Sequence, residues 1–478
     1  MSSSVVIINR RSKRSKFNNR SKRNTRINRS KKNNSKSNIK ANNTTSNLDE
    51  CVYDLFDKIK NAQNTINLGL ENKDISFKYE LVSLEDKFMP SKLDVLKVLN
   101  KENTKLPPKI KAILNDKQQD IKNGTNIVEI DKAISLADRT FFSMFLSAGS
   151  VFEWINDLDF KKLLKNNTID KLHPEMGPFV GLQTSEKMAS MKYNYKITFI
   201  YKRNEKRKEG DISIYTDEKI NDDKLNQLII KLINNILLYP LIFKSADKMP
   251  FPKLKIYLIK QDKQLPTKKE GESQIIFTAD TINSGLTTGD TILLFREEEL
   301  LKVLLHECIH YYRVVNCFND TIDSRYKITS LAKHAYFETI IETLADIINC
   351  IMISTNKDEL KENMAKEINF IFTQAGKILH YAGYMKWNDY FSDTPNKDAQ
   401  PNKIVETTNM HAYYILRTLL FWNKNYNIIL KQIYDTLDCN KIVETINKIG
   451  NEENFKEEIN KYISFPIENH NLRMTSLE

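Results

Sequence analysis

The chain has 478 residues, 40% of them hydrophobic and including 23 Phe and 20 Tyr, enough for two or three domains with substantial cores. Its formal charge of +12 is unevenly spread: residues 1–47 hold 14 Lys/Arg and no Asp or Glu, leaving 59 basic against 61 acidic residues in the remainder. The basic character belongs to a tail, which excludes a globally cationic body built to bind polyanions.

In chain order, residues 1–47 are rich in Arg, Lys, Ser and Asn and lack apolar periodicity, so they are expected to form a disordered basic tail. The short apolar run Val5–Ile8 is followed at once by Arg10 and Arg11, the reverse of a signal peptide, so secretion is not expected. From Leu48 to about Lys192 apolar residues recur mostly at helical spacing, as in Cys51, Leu55, Ile59 and in Ile134, Ala137, Phe141, predicting a mainly helical N-terminal domain over 48–192. The period then changes. Tyr193–Lys202, Asp211–Thr216, Leu254–Lys260, Ile275–Thr278 and Thr291–Phe295 are short β-branched and aromatic runs that predict a small sheet, with a helix from about Asp222 to Leu238 between the second and third. The most apolar stretch, Leu225–Phe243, is interrupted by Lys231, Asn234, Asn235 and Pro240 and reads as a buried helix, so no membrane span is expected. Helical periodicity returns from Glu297 and persists to about Ile463. The predicted class is therefore α+β, with residues 193–478 as one unit: a sheet-containing part (193–300) and a helical part (301–478).

Five scattered cysteines (Cys51, Cys308, Cys317, Cys350, Cys439) contain no CxxC pair, which argues against a disulfide framework or a cysteine-held zinc and favours a reducing, intracellular setting.

The chemistry concentrates in Glu298–Asn316, where His306-Glu307-Cys308-Ile309-His310 forms an HExxH motif. Residues four apart share a helix face, so both imidazoles can reach one metal ion while Glu307 faces the water that such an ion would activate. Leu300, Leu301, Val303, Leu304, Leu305 and Ile309 make this helix apolar, and two histidines and a glutamate buried in it require partners. A catalytic zinc wants a third protein ligand and one open position. The segment Ala335–Asn349 and the residue before it carry His334, Glu338, Glu342 and Asp346 at four-residue spacing: a solvated stripe, or one aimed into a buried site by Phe337, Ile340, Ile341, Leu344, Ile347 and Ile348 around it.

These residues resemble the gluzincin clan of zinc peptidases, typified by thermolysin-like enzymes, over about 190 residues. Glu342-Thr343-Leu344-Ala345-Asp346 resembles that clan's ExxAD pattern. The resemblance implies a zincin-like domain in which one catalytic zinc is held by His306, His310 and Glu342, with Glu338 as the substitute third ligand. It further implies that Asp346 hydrogen-bonds a ligating histidine from outside, and that Glu307 is the general base of a peptidase acting on a protein or peptide substrate. A sheet-edge strand preceding the HExxH helix binds extended substrate in that clan, and Thr291–Phe295 is placed to do so, with Ser284-Gly285-Leu286 shaping the cleft. An oxyanion donor is implied within Thr407–Tyr414, where Tyr413 and Tyr414 are preferred to His411. The segment from Ser284 to His310 also resembles metallopeptidases predicted in large DNA viruses, which would place the protein in host cytoplasm, nucleus or virion. The alternative from the tail is a catalytically silent, metal-containing structural or packaging protein whose residues 1–47 bind nucleic acid.

Overall fold

The computed structural model describes residues 50–84, parts of 96–133, and 180–477 except 204, 269–272, 318–321, 333, 393–401 and 435–436. The basic tail, and with it the nucleic-acid reading, lies outside the described residues, as does most of 85–179, including the expected helical residues Ile134, Ala137 and Phe141.

The fold is a mixed α+β arrangement. Helix α1 (Glu50–Glu71) buries Val52, Leu55, Phe56, Ile59 and Ala62, the face its sequence periodicity marks. Strand β1 (Ile75–Ser83) follows and pairs antiparallel with β2 (Tyr193–Arg203), Ile75 opposite Tyr201 and Ser83 opposite Tyr193. A strand from the segment expected to be a separate helical domain is thus part of the main sheet, and the sheet crosses the expected boundary at residue 193. Strand β2 continues antiparallel into β3 (Lys206–Thr216), after which α2 (Asp222–Ile242) returns the chain to a parallel strand, β4 (Lys253–Tyr257). Asn221 caps α2 by accepting from the Asp223 backbone N–H.

Strand β5 (Ile275–Phe277) leaves this sheet and joins a smaller parallel one. The hairpin β6 (Gly285–Thr288) and β7 (Thr291–Leu294) completes the main sheet in the order β1-β2-β3-β4-β7-β6. Gly289, at φ 57°, supplies the positive φ that its two-residue turn needs. Strand β7 pairs parallel with β4 on one side and antiparallel with β6 on the other. The expectation that Thr291–Phe295 forms the sheet edge is therefore corrected: among the described residues the edge on this side is β6, and Gly285 and Leu286 are strand residues rather than a turn.

The HExxH helix, α3 (Leu300–Tyr311), is apolar on nearly every side because α2 and the sheet enclose it; Val303, Leu304, Leu305, Cys308 and Ile309 are all buried. Helix α2 is long and apolar enough to cross a membrane, but here its buried face includes Leu225, Ile229, Leu232 and Ile236. It also braces α3 through polar contacts: Asn235 donates to the Leu301 carbonyl (3.1 Å), Tyr239 to that of Leu305 (2.7 Å), and Tyr312 back to that of Ile236 (3.4 Å). At the start of α3, Glu299 is buried in a left-handed conformation (φ 60°), paired with Lys263 at 2.7 Å and accepting from the backbone of Met474 and Thr475.

Strand β8 (Ile328–Ser330) precedes α4 (Ala335–Ile353), which packs across α3 and is buried along almost its whole length. Helix α5 (Lys357–Tyr381) and strand β9 (Ile404–Glu406) follow, β9 lying between β5 and β8. A π-helical turn, His411–Leu416, runs on as α6 (Arg417–Phe421), and α7 (Cys439–Ile449) and α8 (Glu453–Ile463) close the helical part.

Cys317, just after α3, is disulfide-bonded to Cys439 at the start of α7, with Cα atoms 5.5 Å apart. This bridge runs against the expectation of no disulfide framework: with a sequence separation of 122, no local spacing marks it. Cys51, Cys308 and Cys350 stand outside this bridge, the last two buried.

Candidate metal centre

Four-residue spacing on α3 puts His306 and His310 on one face, toward α4. Their Nε2 atoms are 3.2 Å apart. Glu338, in the first turn of α4, faces both: its carboxylate oxygens lie 3.3 Å from His306 Nε2 and 3.4 Å from His310 Nε2. The carboxylate thus spans the pair, Oε2 toward His306 and Oε1 toward His310, and one donor atom from each of the three residues lies within 4.8 Å of the others, close enough to share one metal ion. His306 is buried, while His310 and Glu338 keep slight exposure, leaving one side of the group open.

The third ligand expected was Glu342, with Glu338 as the substitute, and it is Glu338 that joins His306 and His310 in a group that could hold a metal ion. Glu342 Oε2 lies 2.8 Å from Nδ1 of His306, the nitrogen that faces away from the cluster. Glu338 therefore stands where a third ligand would sit, and Glu342 in the outer place expected for Asp346. With an ionised Glu342 accepting from Nδ1–H, the neutral ring keeps its lone pair on Nε2, aimed at His310 and Glu338. Asp346 touches neither histidine; it lies 3.2 Å from Lys302 and 2.9 Å from Arg417.

Lys302, Glu342, Asp346 and Arg417 make one buried network. Lys302 contacts Glu342 and Asp346, and Arg417 Nη1 lies 3.1 Å from Glu342 and 2.9 Å from Asp346. Two acidic groups and two cations meet where unpaired charge would cost several kcal/mol, about 3–5 if one partner were removed, and burial raises the Asp346 carboxyl to about 7 against the pull of Lys302 and Arg417. Neither cation was expected from the sequence. The available signal was a lysine four residues before His306 and an arginine within the apolar run ILRTLLFW, each a charge in a helix otherwise made for burial.

Burial opposes ionisation of Glu342, but Lys302, His306 and Arg417 outweigh it and hold the carboxyl well below its usual range. The same holds for Glu338, through His310 and His306. Burial alone would lower His306; hydrogen bonds to Glu338 and Glu342 reverse this and raise it to about 10. The surroundings of this ring thus favour positive charge at its centre, supplied by a proton or by a cation that displaces it.

Glu307 points to the opposite side of the histidine pair, toward β6. Its Oε2 accepts from the Thr287 hydroxyl at 2.8 Å, and burial pushes its pKa upward, with His306, His310 and Thr287 acting in the other direction. Tyr413, on the π-helical turn, packs its ring edge-on to His306 with centroids 5.7 Å apart and donates to Glu338 Oε2 at 3.1 Å. Tyr414 does not join the site: its hydroxyl donates to the Leu472 carbonyl and its ring lies near Arg417. His411 is also directed elsewhere, with Nδ1 2.7 Å from the Tyr390 hydroxyl. The turn is registered by Glu406 of β9, which accepts from the His411 backbone N–H at 2.7 Å. Cys308 faces the core, as packing requires.

Fold and site together define an α+β protein with a largely buried His306–His310–Glu338 group that could hold a metal ion. None of the known protein families, curated proteins or solved structures compared with this chain matches it.

Proposed function

We propose that the protein is a zinc-dependent endopeptidase of the gluzincin type. The observation that carries this reading is the joint placement of three parts around one point: two histidines and one glutamate close enough to share an ion, a second glutamate beside them on the HExxH helix, and next to that second glutamate an antiparallel edge strand with no further strand paired to it among the described residues. Nitrogen and carboxylate donors in this number suit zinc with one position left open. The bound ion would polarise the scissile carbonyl and acidify water at the open position.

The chain's own residues do the rest. An extended peptide adds to the outer edge of β6 by main-chain hydrogen bonds. Glu307 accepts a proton from water as the hydroxyl adds to the carbonyl carbon, then delivers that proton to the amine nitrogen as the C–N bond breaks. Tyr413, whose hydroxyl is held beside the ligand set by Glu338, is the donor available to the developing oxyanion. Glu342 keeps His306 in the tautomer that binds metal, and Lys302 and Arg417 keep Glu342 ionised.

The test is Glu307→Gln in the full chain, assayed on a quenched-fluorescent peptide library alongside metal analysis. The variant should carry the same zinc as the unmodified protein and have lost turnover by at least about 100-fold. Equal turnover in both would remove Glu307 as base, and an unmodified protein that binds zinc but cleaves nothing would remove the peptidase reading.

A further inference from the structure

The residues that hold Glu307 in place are not on its own helix but on the sheet edge. Along β6 the side chains alternate: Leu286 joins an apolar cluster with Leu293, Phe295 and Tyr257 on one face, while Gly285 and Thr287 face α3 on the other. Thr287 Oγ1 lies 2.8 Å from Oε2 of Glu307 and 3.1 Å from the Glu307 carbonyl oxygen, so its single hydroxyl proton binds the carboxylate while its position is keyed to the helix backbone. Gly285 acts by what it lacks. A Cβ there would sit 3.0 Å from Glu307 Oε1 and 2.9 Å from both Leu294 Cδ2 and Val303 Cγ1, so the carboxylate occupies space that any other residue would fill.

We infer that Thr287 is a positioning residue for the general base, and that Gly285 is its steric counterpart. The inference rests on the peptidase reading and deepens it. A glutamate has three rotatable bonds, and a misplacement of about 1 Å in a reacting group can cost about 100-fold in rate. One oxygen tethered by Thr287 and the other seated over Gly285 remove that freedom. Because the same four-residue strand offers its outer edge to the substrate backbone, the register between the scissile carbonyl and the base is set by a single element rather than by two that could shift apart.

The experiment compares Thr287→Val, which keeps shape and removes the hydroxyl, with Thr287→Ser, which keeps the hydroxyl. In the zinc-loaded full chain Thr287→Val should lower kcat about 10- to 100-fold with KM and zinc content unchanged, and Thr287→Ser should restore most of the rate. A second readout needs no activity: in urea unfolding of the metal-free chain, the midpoint shift caused by Thr287→Val should vanish when Glu307 is already Ala. An unchanged kcat in Thr287→Val, or an identical midpoint shift in both backgrounds, overturns the inference. If the unmodified chain cleaves no peptide, the peptidase reading fails by itself, and the unfolding cycle still decides whether Thr287 holds Glu307.

Discussion

Nδ1 of His306 lies 2.8 Å from Oε2 of Glu342, so this carboxylate grips the imidazole from the side away from His310 and Glu338. The front of the same ring faces Glu338, one helical turn earlier on α4. Dividing the two nitrogens of one histidine between two carboxylates gives each a distinct and separable role.

Removing the ligand and removing its support should therefore differ. Glu338→Gln and His310→Ala are expected to abolish stoichiometric zinc, whereas Glu342→Gln should retain it with affinity reduced about 10- to 100-fold. Elemental analysis after identical purification, followed by chelator competition, measures both. Zinc lost from Glu342→Gln as completely as from Glu338→Gln would return Glu342 to the ligand position.

The two neighbouring tyrosines should separate as clearly. Tyr413→Phe removes a hydroxyl 3.1 Å from Glu338 and is expected to lower kcat about 100-fold with zinc retained. Tyr414→Phe loses only a contact with the Leu472 carbonyl and should leave kcat within about two-fold of the unmodified rate, since the hydroxyl is remote from the chemistry. Equal effects on kcat from both would show that the π-helical turn matters only for stability.

The buried network predicts an asymmetry in stability. Arg417→Met leaves Lys302 as the one lysine or arginine of the network beside Glu342 and Asp346, and should destabilise the chain by about 3–5 kcal/mol. The double variant Arg417→Met/Asp346→Leu removes one charge of each sign and should be less destabilised than Arg417→Met, as denaturant midpoints would report. Additive losses would mean that the charges are not coupled.

Behind the site, His411 and Glu406 should give opposite pH dependences. Burial lowers His411 to about 3, so as pH falls below about 6.5 the unfolded chain takes up a proton that the folded chain refuses, and stability is lost on acidification. Burial raises Glu406 to about 7, so the folded chain keeps a proton that the unfolded chain releases above about 4.5, and stability is lost as pH rises toward 7. Each contributes a slope of about 1.4 kcal/mol per pH unit, of opposite sign, between about pH 5 and 6. Relative to the unmodified protein, His411→Gln should make stability fall more steeply with rising pH and Glu406→Gln should make it climb. Urea unfolding at about pH 5 and about pH 6 tests this, and slope changes of the same sign would refute it.

The sequence by itself determined the elements whose signal is local. The i, i+4 histidines of α3 must share a face because about 3.6 residues make a turn, the alternating runs of β2 and β3 must be strands, and α1 shows its buried stripe directly. It could not choose among Glu338, Glu342 and Asp346, because carboxylates repeating every four residues present the same face of α4 and differ only in height along it. Only the height at which α4 crosses α3 decides, and that is fixed by packing between two helices far apart in the chain. For the same reason the sheet edge moved from β7 to β6 and the Cys317–Cys439 bridge went unseen: strand order and the meeting of distant residues belong to long-range contacts, which leave no period in the sequence.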